Sequence, residues 1–144
     1  MKRISIVFVL ISVLLVLSAC GKSEFEKERF TVKAGETFSV TVSMADSGAI
    51  KSMALSLYFD DNAFELINGK WLNQNAVIAD FNMQTKDAAI AFEDDIDYCG
   101  EIFKFSLRAK ENLVIIDDMI IVEPVLKNEQ VTLECEGIDL VYAK

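Results

Sequence analysis

The chain contains no histidine among its 144 residues. Histidine is the commonest general base and the commonest metal ligand in proteins, so its absence excludes Ser-His-Asp and Cys-His catalysis. Asp60 is a candidate catalytic acid, but a glycosidase needs a second carboxylate at a defined distance, and the sequence identifies none. We therefore predict that the protein is not an enzyme and that it uses no cofactor.

Basic residues are scarce as well. The chain carries 14 lysines and arginines against 23 aspartates and glutamates, a net charge of −9. Nucleic-acid binding depends on basic side chains that neutralise phosphates, and docking on an anionic membrane surface has the same requirement. The composition predicts no nucleic-acid partner, and it means that any membrane attachment has to come from a lipid.

The longest apolar run lies at the N-terminus. Lys2 and Arg3 precede the apolar stretch 4–17, and small residues then lead to Cys20. Positive charge, apolar core and small-residue cleavage site together are typical of a secretory signal peptide. The apolar stretch is shorter than the roughly 17–25 residues of a membrane-spanning helix.

The last four residues of this region, Leu17 to Cys20, resemble the lipobox of bacterial lipoproteins. The resemblance implies that Cys20 is diacylated and becomes the first residue of the mature chain. We expect a signal peptide, helical in form, over residues 1–19, a lipid-anchored tether over 20–29, and one domain over 30–144. The domain would then lie at the extracytoplasmic face of the cell membrane.

Two further cysteines remain, Cys99 and Cys135. A disulfide between them is plausible in an oxidising compartment, and the alternative is a pair of buried thiols that act as small apolar side chains. The single proline, Pro124, lies in a strand-like run, which predicts an edge strand or a bulge there.

From Phe30 onward the apolar residues recur with a period of two, which is typical of half-buried strands. The segment 63–66 fits a strand or a short helix, and we favour the strand. Turn signals separate the runs, among them Asn68-Gly69-Lys70. Short strands at this spacing predict an all-β antiparallel sandwich. The alternating runs are 38–44, 53–59, 77–83, 89–93 and 103–109, after which 119–122 is a β-branched run and 138–142 closes the chain.

Three segments, 30–42, 49–60 and 100–109, occur in an order and spacing that resemble cohesin domains. The first has a Gly-acid turn before an alternating strand, the second ends in the aromatic-Asp pair Phe59-Asp60, and the third is a Gly-led aromatic strand. The resemblance implies a nine-stranded jelly-roll β-sandwich, shared with cellulose-binding modules, and a non-catalytic role.

In cohesins the sheet that holds strands eight, three, six and five carries the partner site. By position, the resemblance places Tyr58, Asp80, Asn82, Ala91 and Glu93 on or near that face. Tyr58 is the best anchor, because aromatic residues dominate interface energetics. The alternative is an ordinary solvated sheet face.

Trp71, the single tryptophan, lies in the polar segment 68–75. Exposed in a loop, its ring could stack on a sugar. The alternative, which we favour, is that Trp71 folds back and caps the core.

The acidic run 93–97 was tested as a calcium loop. With Asp95 at position one, Cys99 falls at position five and Ser106 at position twelve, so the ligands of an EF-hand are missing. The alternatives are a different calcium site built from this run and a solvated acidic turn. We favour the acidic turn and predict no metal. The run contributes the carboxylates of Glu93, Asp94, Asp95 and Asp97.

These observations predict a lipid-anchored extracytoplasmic binding module. Its partner would be a dockerin-like protein module, or a cell-wall or environmental polysaccharide, held by a sheet face or by rim loops. The alternative is a structural or assembly lipoprotein of a cell-surface complex without a soluble ligand.

Overall fold

The computed structural model describes residues 29–45, 48–73, 75–128, 132–133 and 137–144. This part of the chain is built from strands, and no helix occurs in it. The predicted signal peptide, its helix and Cys20 lie outside the described residues, as does Cys135. The strands are β1 (Thr31–Val32), β2 (Thr37–Met44), β3 (Ala49–Phe59), β4 (Phe64–Trp71), β5 (Ile78–Asn82), β6 (Asp87–Asp97), β7 (Gly100–Ala109), β8 (Leu113–Val114), β9 (Ile120–Lys127), β10 (Thr132–Leu133) and β11 (Ile138–Ala143).

Two large antiparallel sheets face each other across one core. The first has five strands in the order β10-β9-β3-β6-β5, and the second has four in the order β11-β2-β7-β4. Most of the connections between strands of the two large sheets cross from one sheet to the other. The short strands β1 and β8 form a separate pair. The predicted all-β, nine-stranded sandwich is confirmed, since the two large sheets together hold nine strands.

The core follows from the period of two, because alternate side chains of a strand point to the same side. On β2, Phe38, Val40 and Val42 are at most 1% exposed. The opposing sheet contributes Met53 and Leu55 to the same core. No polar or charged residue is buried in the described part of the chain, so burial of apolar surface is the main source of stability here.

The prediction of a turn at Asn68-Gly69-Lys70 is wrong. These residues lie inside β4, just after a register shift between Leu66 and Asn68. A Cβ added at Gly69 would lie 2.6 Å from Cε1 of Phe81 and 2.9 Å from Cζ of Phe103. The glycine is therefore explained by the close packing of two aromatic rings against the backbone. Besides its role in turns, glycine occurs within strands where another group approaches the backbone closely.

One other strand prediction is confirmed, since the segment 63–66 contributes the start of β4 at Phe64. The prediction of an edge strand or a bulge at Pro124 is not confirmed. Pro124 lies in β9, opposite Leu55 of β3 in a ladder without a register shift, and β9 lies between β10 and β3 in the sheet. The described part of β10 pairs only with Leu126 and Lys127, so β3 is the described neighbour of β9 at Pro124.

Tyr98 closes one end of the sandwich between β6 and β7. Its side chain is 5% exposed, its ring packs edge-on against Phe92 at 5.4 Å, and its hydroxyl donates to the carbonyl of Ile102 at 3.4 Å. Burial raises the pKa of Tyr98 to about 12, although a hydrogen bond from the backbone of Asn73 acts in the opposite direction.

Candidate functional site

The outer face of the five-stranded sheet is the candidate binding surface. Its two central strands, β3 and β6, present mostly small side chains to solvent. Ser52, Ala54 and Ser56 of β3 stand opposite Ala91, Ala89 and Asp87 of β6. Because cross-strand partners on one face are close neighbours, these residues form a continuous strip along the middle of the sheet.

Longer side chains flank this strip on both sides. On one side, the outward residues of β9 stand opposite the small residues of β3. On the other side, the outward residues of β5 stand opposite those of β6. The result is a shallow channel, which we call the trough. Its floor is formed by Ser52, Ala54, Ser56, Ala89 and Ala91, and its walls are formed by Glu123, Val125 and Lys127 of β9 and by Ile78, Asp80 and Asn82 of β5.

The dimensions of the trough follow from sheet geometry. Three strand spacings separate β9 from β5, which is about 14 Å. The floor runs over residues 52–56, and the strand continues to Tyr58, which makes the surface about 20 Å long. An α-helix with its side chains is about 10–12 Å wide, so the trough has the width of one helix laid along the strands.

An apolar pair closes one end of the trough. Tyr58 stands directly opposite Ile121 of β9, and the two are 50% and 41% exposed. Val125 and Ile78 in the walls are 45% and 57% exposed. Grouped exposed apolar side chains of this kind, mixed with polar ones, are typical of interaction surfaces.

Acidic side chains outnumber basic ones around the trough. Asp80, Asp87 and Glu123 lie on this face, and Lys127 is the basic residue of its β9 wall. The carboxylate of Asp87 accepts a hydrogen bond from the Ser56 hydroxyl at 2.8 Å. The surface therefore favours a partner that brings positive charge.

The structure brings together five of the six predicted contact residues, and one of the five, Ala91, is part of the trough floor. Tyr58, Asp80 and Asn82 lie on the outer face, in register with the small residues of the floor. Glu93 is exposed on β6, two residues beyond Ala91 and next to the register shift between β3 and β6. Their role in binding stays a prediction.

Trp71 lies elsewhere, at the end of β4 in the other sheet. Its indole N–H donates to the carbonyl of Asp80 at 3.0 Å, and its ring packs edge-on against Phe103 at 5.1 Å. Trp71 thus packs against the core as a partly buried residue, the arrangement that we favoured. Its predicted role as a contact residue has no support from this geometry.

The remaining predicted positions involve metals and thiols. Among the described residues, no group of three or more His, Cys, Asp or Glu side chains could hold a metal ion, and this includes the acidic run 93–97. Cys99 is exposed in the β6–β7 connection. Because Cys135 lies outside the described residues, the Cys99–Cys135 disulfide stays a prediction.

Sequence reasoning missed the β9 wall. The residue types of 119–122 predict a uniformly apolar β-branched run, whereas in the structure Ile121 points outward and its neighbours Ile120 and Val122 point into the core. The alternation continues to Lys127, and a search for period two across Pro124 would have found it.

Comparisons with known proteins identify one relevant structure. No family model matches the chain, and no curated protein matches it. The structure is similar to the cohesin in the crystal structure of the Coh-OlpC–Doc435 complex, a type I cohesin–dockerin complex from Clostridium thermocellum, with 18% sequence identity and a TM-score of 0.48. The alignment covers 76% of this chain and 85% of that chain. At this level of similarity, function has to be inferred from the residues of the site themselves.

Proposed function

We propose that this protein is a lipid-anchored binding module that holds a protein partner in the trough of its five-stranded sheet. The observation that carries the proposal is the floor of small side chains between two taller walls. Alanine and serine allow the backbone of a partner to approach closely, and the walls exclude water from the contact. The module acts by surface complementarity, and no bond is made or broken.

The partner that fits best presents an α-helix. The trough is about 14 Å wide and roughly 20 Å long, which corresponds to a helix of about 13 residues at 1.5 Å per residue. Apolar positions on the helix would contact Val125 and Tyr58, which are 45% and 50% exposed. Basic positions would face the carboxylates of Asp80 and Glu123. Helix-in-groove recognition of this kind is common.

A dockerin-like module is the proposed class of partner. The sequence motifs in 30–42, 49–60 and 100–109 resemble cohesins, and dockerins are the partners of that family. The trough also lies on the sheet that contains β3, β5 and β6, the sheet that the resemblance singled out. The polysaccharide alternative predicts an exposed Trp71 or Tyr58. The Trp71 indole N–H is bonded to the Asp80 carbonyl, and Tyr58, which is 50% exposed, is the contact that we assign to the protein partner.

The membrane anchor belongs to the same proposal. Cys20 would carry the lipid, and the tether that follows it spans at most about 30 Å when extended. In the described residues, no helix has the length and hydrophobicity needed to cross a membrane. The domain would accordingly hold its partner close to the membrane surface.

The experiment that tests this function measures binding to a panel of immobilised dockerin modules, Doc435 among them, and to a glycan array. We compare the wild-type protein with Ala89→Arg, which blocks the floor, and with Ser106→Arg, which lies on the other sheet. We expect binding to a dockerin that Ala89→Arg weakens at least about tenfold and that Ser106→Arg leaves unchanged. Binding to glycans alone, or equal binding by both variants, would refute the proposal.

A further inference from the structure

An apolar pocket continues from the closed end of the trough around the edge of the sandwich. It has a volume of about 510 Å³ and begins at the pair Tyr58 and Ile121. Phe59, Phe64 and Met119 are among its apolar lining residues. This volume is within the range of roughly 300–1,000 Å³ that is typical of sites for small groups.

Three carboxylates line the same pocket, those of Asp60, Glu111 and Asp118, and no lysine or arginine lines it. Within the described ranges, none of the three forms an ion pair. Asp60 uses one oxygen, Oδ1, to accept hydrogen bonds from the backbone and side chain of Asn62 at 2.8 and 3.0 Å. An apolar pocket with three carboxylates and no cation is complementary to a positively charged group on an apolar arm.

Two lysines lie near these residues in the structure, but both are bonded to Asp61. Nζ of Lys86 lies 2.7 Å from Oδ1 of Asp61, and Nζ of Lys110 donates to the backbone carbonyl of Asp61 at 2.6 Å. The ammonium groups of both lysines are therefore bonded outside the pocket.

The protein itself shows how such a cation is accommodated next to the pocket. Nζ of Lys86 lies 4.2 Å from the centre of the Phe59 ring while it pairs with Asp61. An aromatic face and a carboxylate thus hold one cation, a combination that stabilises a charged group more than either does alone. The lining of the pocket includes groups of the same two kinds, the aromatic ring of Tyr58 and the carboxylate of Glu111.

We propose that this pocket binds an arginine side chain of the protein partner. The aliphatic arm would pack on Met119 and Ile121, and the planar guanidinium would stack on an aromatic ring and bond a carboxylate in two places. This inference rests on the proposed function, because a partner in the trough reaches the pocket past Tyr58. It adds a specificity determinant that the floor of the trough lacks.

The test uses methyl NMR on the full chain in mild detergent, labelled at its methionine methyl groups. The probe is N-acetyl-arginine amide, and the control ligand is the uncharged isostere N-acetyl-citrulline amide. The chain has five methionines. Met119 lines the pocket, whereas Met53 is buried in the core and Met83 is exposed in the connection from β5 to β6.

We expect the Met119 signal to shift saturably with the arginine amide while the Met53 and Met83 signals stay in place. The citrulline amide should bind about fivefold more weakly, since it loses the charge interaction. Glu111→Gln and Asp118→Asn should each weaken arginine binding severalfold. Asparagine suits position 118, because Asp118 has a φ of 72° and asparagine tolerates that region. Glu101→Gln, at an exposed position of β7 in the other sheet, is the matched control and should have no effect.

An unresponsive Met119 signal, or an equal response to the citrulline amide, would overturn the inference. These outcomes are separate from those of the dockerin experiment. If Ala89→Arg weakens dockerin binding while the Met119 signal does not shift with the arginine amide, the proposed function is supported and the arginine pocket is refuted. If the Met119 signal shifts with the arginine amide but Ala89→Arg leaves dockerin binding unchanged, the pocket is shown to bind arginine and the proposal for the trough is refuted.

Discussion

Replacement of Gly69 by alanine tests the packing that joins the two sheets. Gly69 lies in β4 without the positive φ that disfavours other residues. In an unobstructed strand position, a glycine-to-alanine change stabilises a protein by about 0.4–1 kcal/mol, because it restricts the unfolded chain. The sign of the effect at position 69 therefore depends on the aromatic rings beside it.

The structure predicts that the rings of Phe81 and Phe103 make the replacement of Gly69 by alanine destabilising. An alanine Cβ would lie 2.6 and 2.8 Å from two ring carbons of Phe81 and 2.9 Å from Cζ of Phe103. Phe103 is fully buried, so the partly buried Phe81 has to move and lose its edge-on contact with Phe103 at 5.3 Å. Overpacking of this kind costs about 1–3 kcal/mol, and we expect Gly69→Ala to destabilise the protein by that amount.

Urea unfolding followed by Trp71 fluorescence measures the effect, because Trp71 packs directly against Phe103. The matched control is Phe81→Ala, alone and combined with Gly69→Ala. In the double variant the ring that obstructs the Cβ is gone, so the cost of the alanine at position 69 should fall by at least about half, a clear non-additivity. A stabilising Gly69→Ala, or an equal cost in both backgrounds, would refute this explanation of the glycine.

Three further predictions concern the core, the pH dependence and the anchor. Leu55→Ala, in the core, should lower the free energy of unfolding by about 2–5 kcal/mol, whereas Ala54→Ser, on the trough floor, should change it by less than about 0.5 kcal/mol; equal effects would contradict the assigned faces. Because burial raises the pKa of Tyr98 to about 12, the unfolded chain, whose tyrosine pKa is about 10, loses this proton first. The contribution of Tyr98 to the free energy of unfolding is therefore complete below about pH 10 and is lost between about pH 10 and 12. Urea unfolding across this range should show a smaller loss of stability for Tyr98→Phe than for the wild type. Mass spectrometry of the membrane-extracted protein should find a diacylated N-terminal Cys20, and an intact leader would contradict the anchor.

The strands could be predicted from the sequence, because the alternation of apolar and polar residues involves only neighbours in the chain and is kept in the folded sheet. Phe38, Val40 and Val42 alternate with polar residues in the chain, and the structure buries all three. The direction of each side chain along its own strand then follows. The placement of Tyr58 and Asp80 on one common face came from the resemblance to cohesins, because alternation alone does not show which strands share a sheet.

The turn at Gly69 could not be predicted correctly, because glycine has two different uses that look alike in a sequence. A turn needs its conformational freedom, whereas β4 needs the space that its missing side chain leaves for Phe81. Phe81 lies twelve positions further along the chain, on the opposite sheet, so only the tertiary structure shows the contact. The pocket behind Tyr58 could not be predicted for the same reason, because Asp60 is far in the sequence from Glu111 and Asp118, which line the same pocket.

Site-specific photo-crosslinking in the native cells tests the central claim most directly. A photoreactive residue replaces Ala54 on the trough floor, and in a control chain it replaces Ser106 on the other sheet. We predict one discrete adduct at position 54, with a protein that mass spectrometry identifies as carrying a dockerin-like module, and no such adduct at position 106. The same adduct at both positions, or none at position 54, would contradict the claim that the trough holds a protein partner.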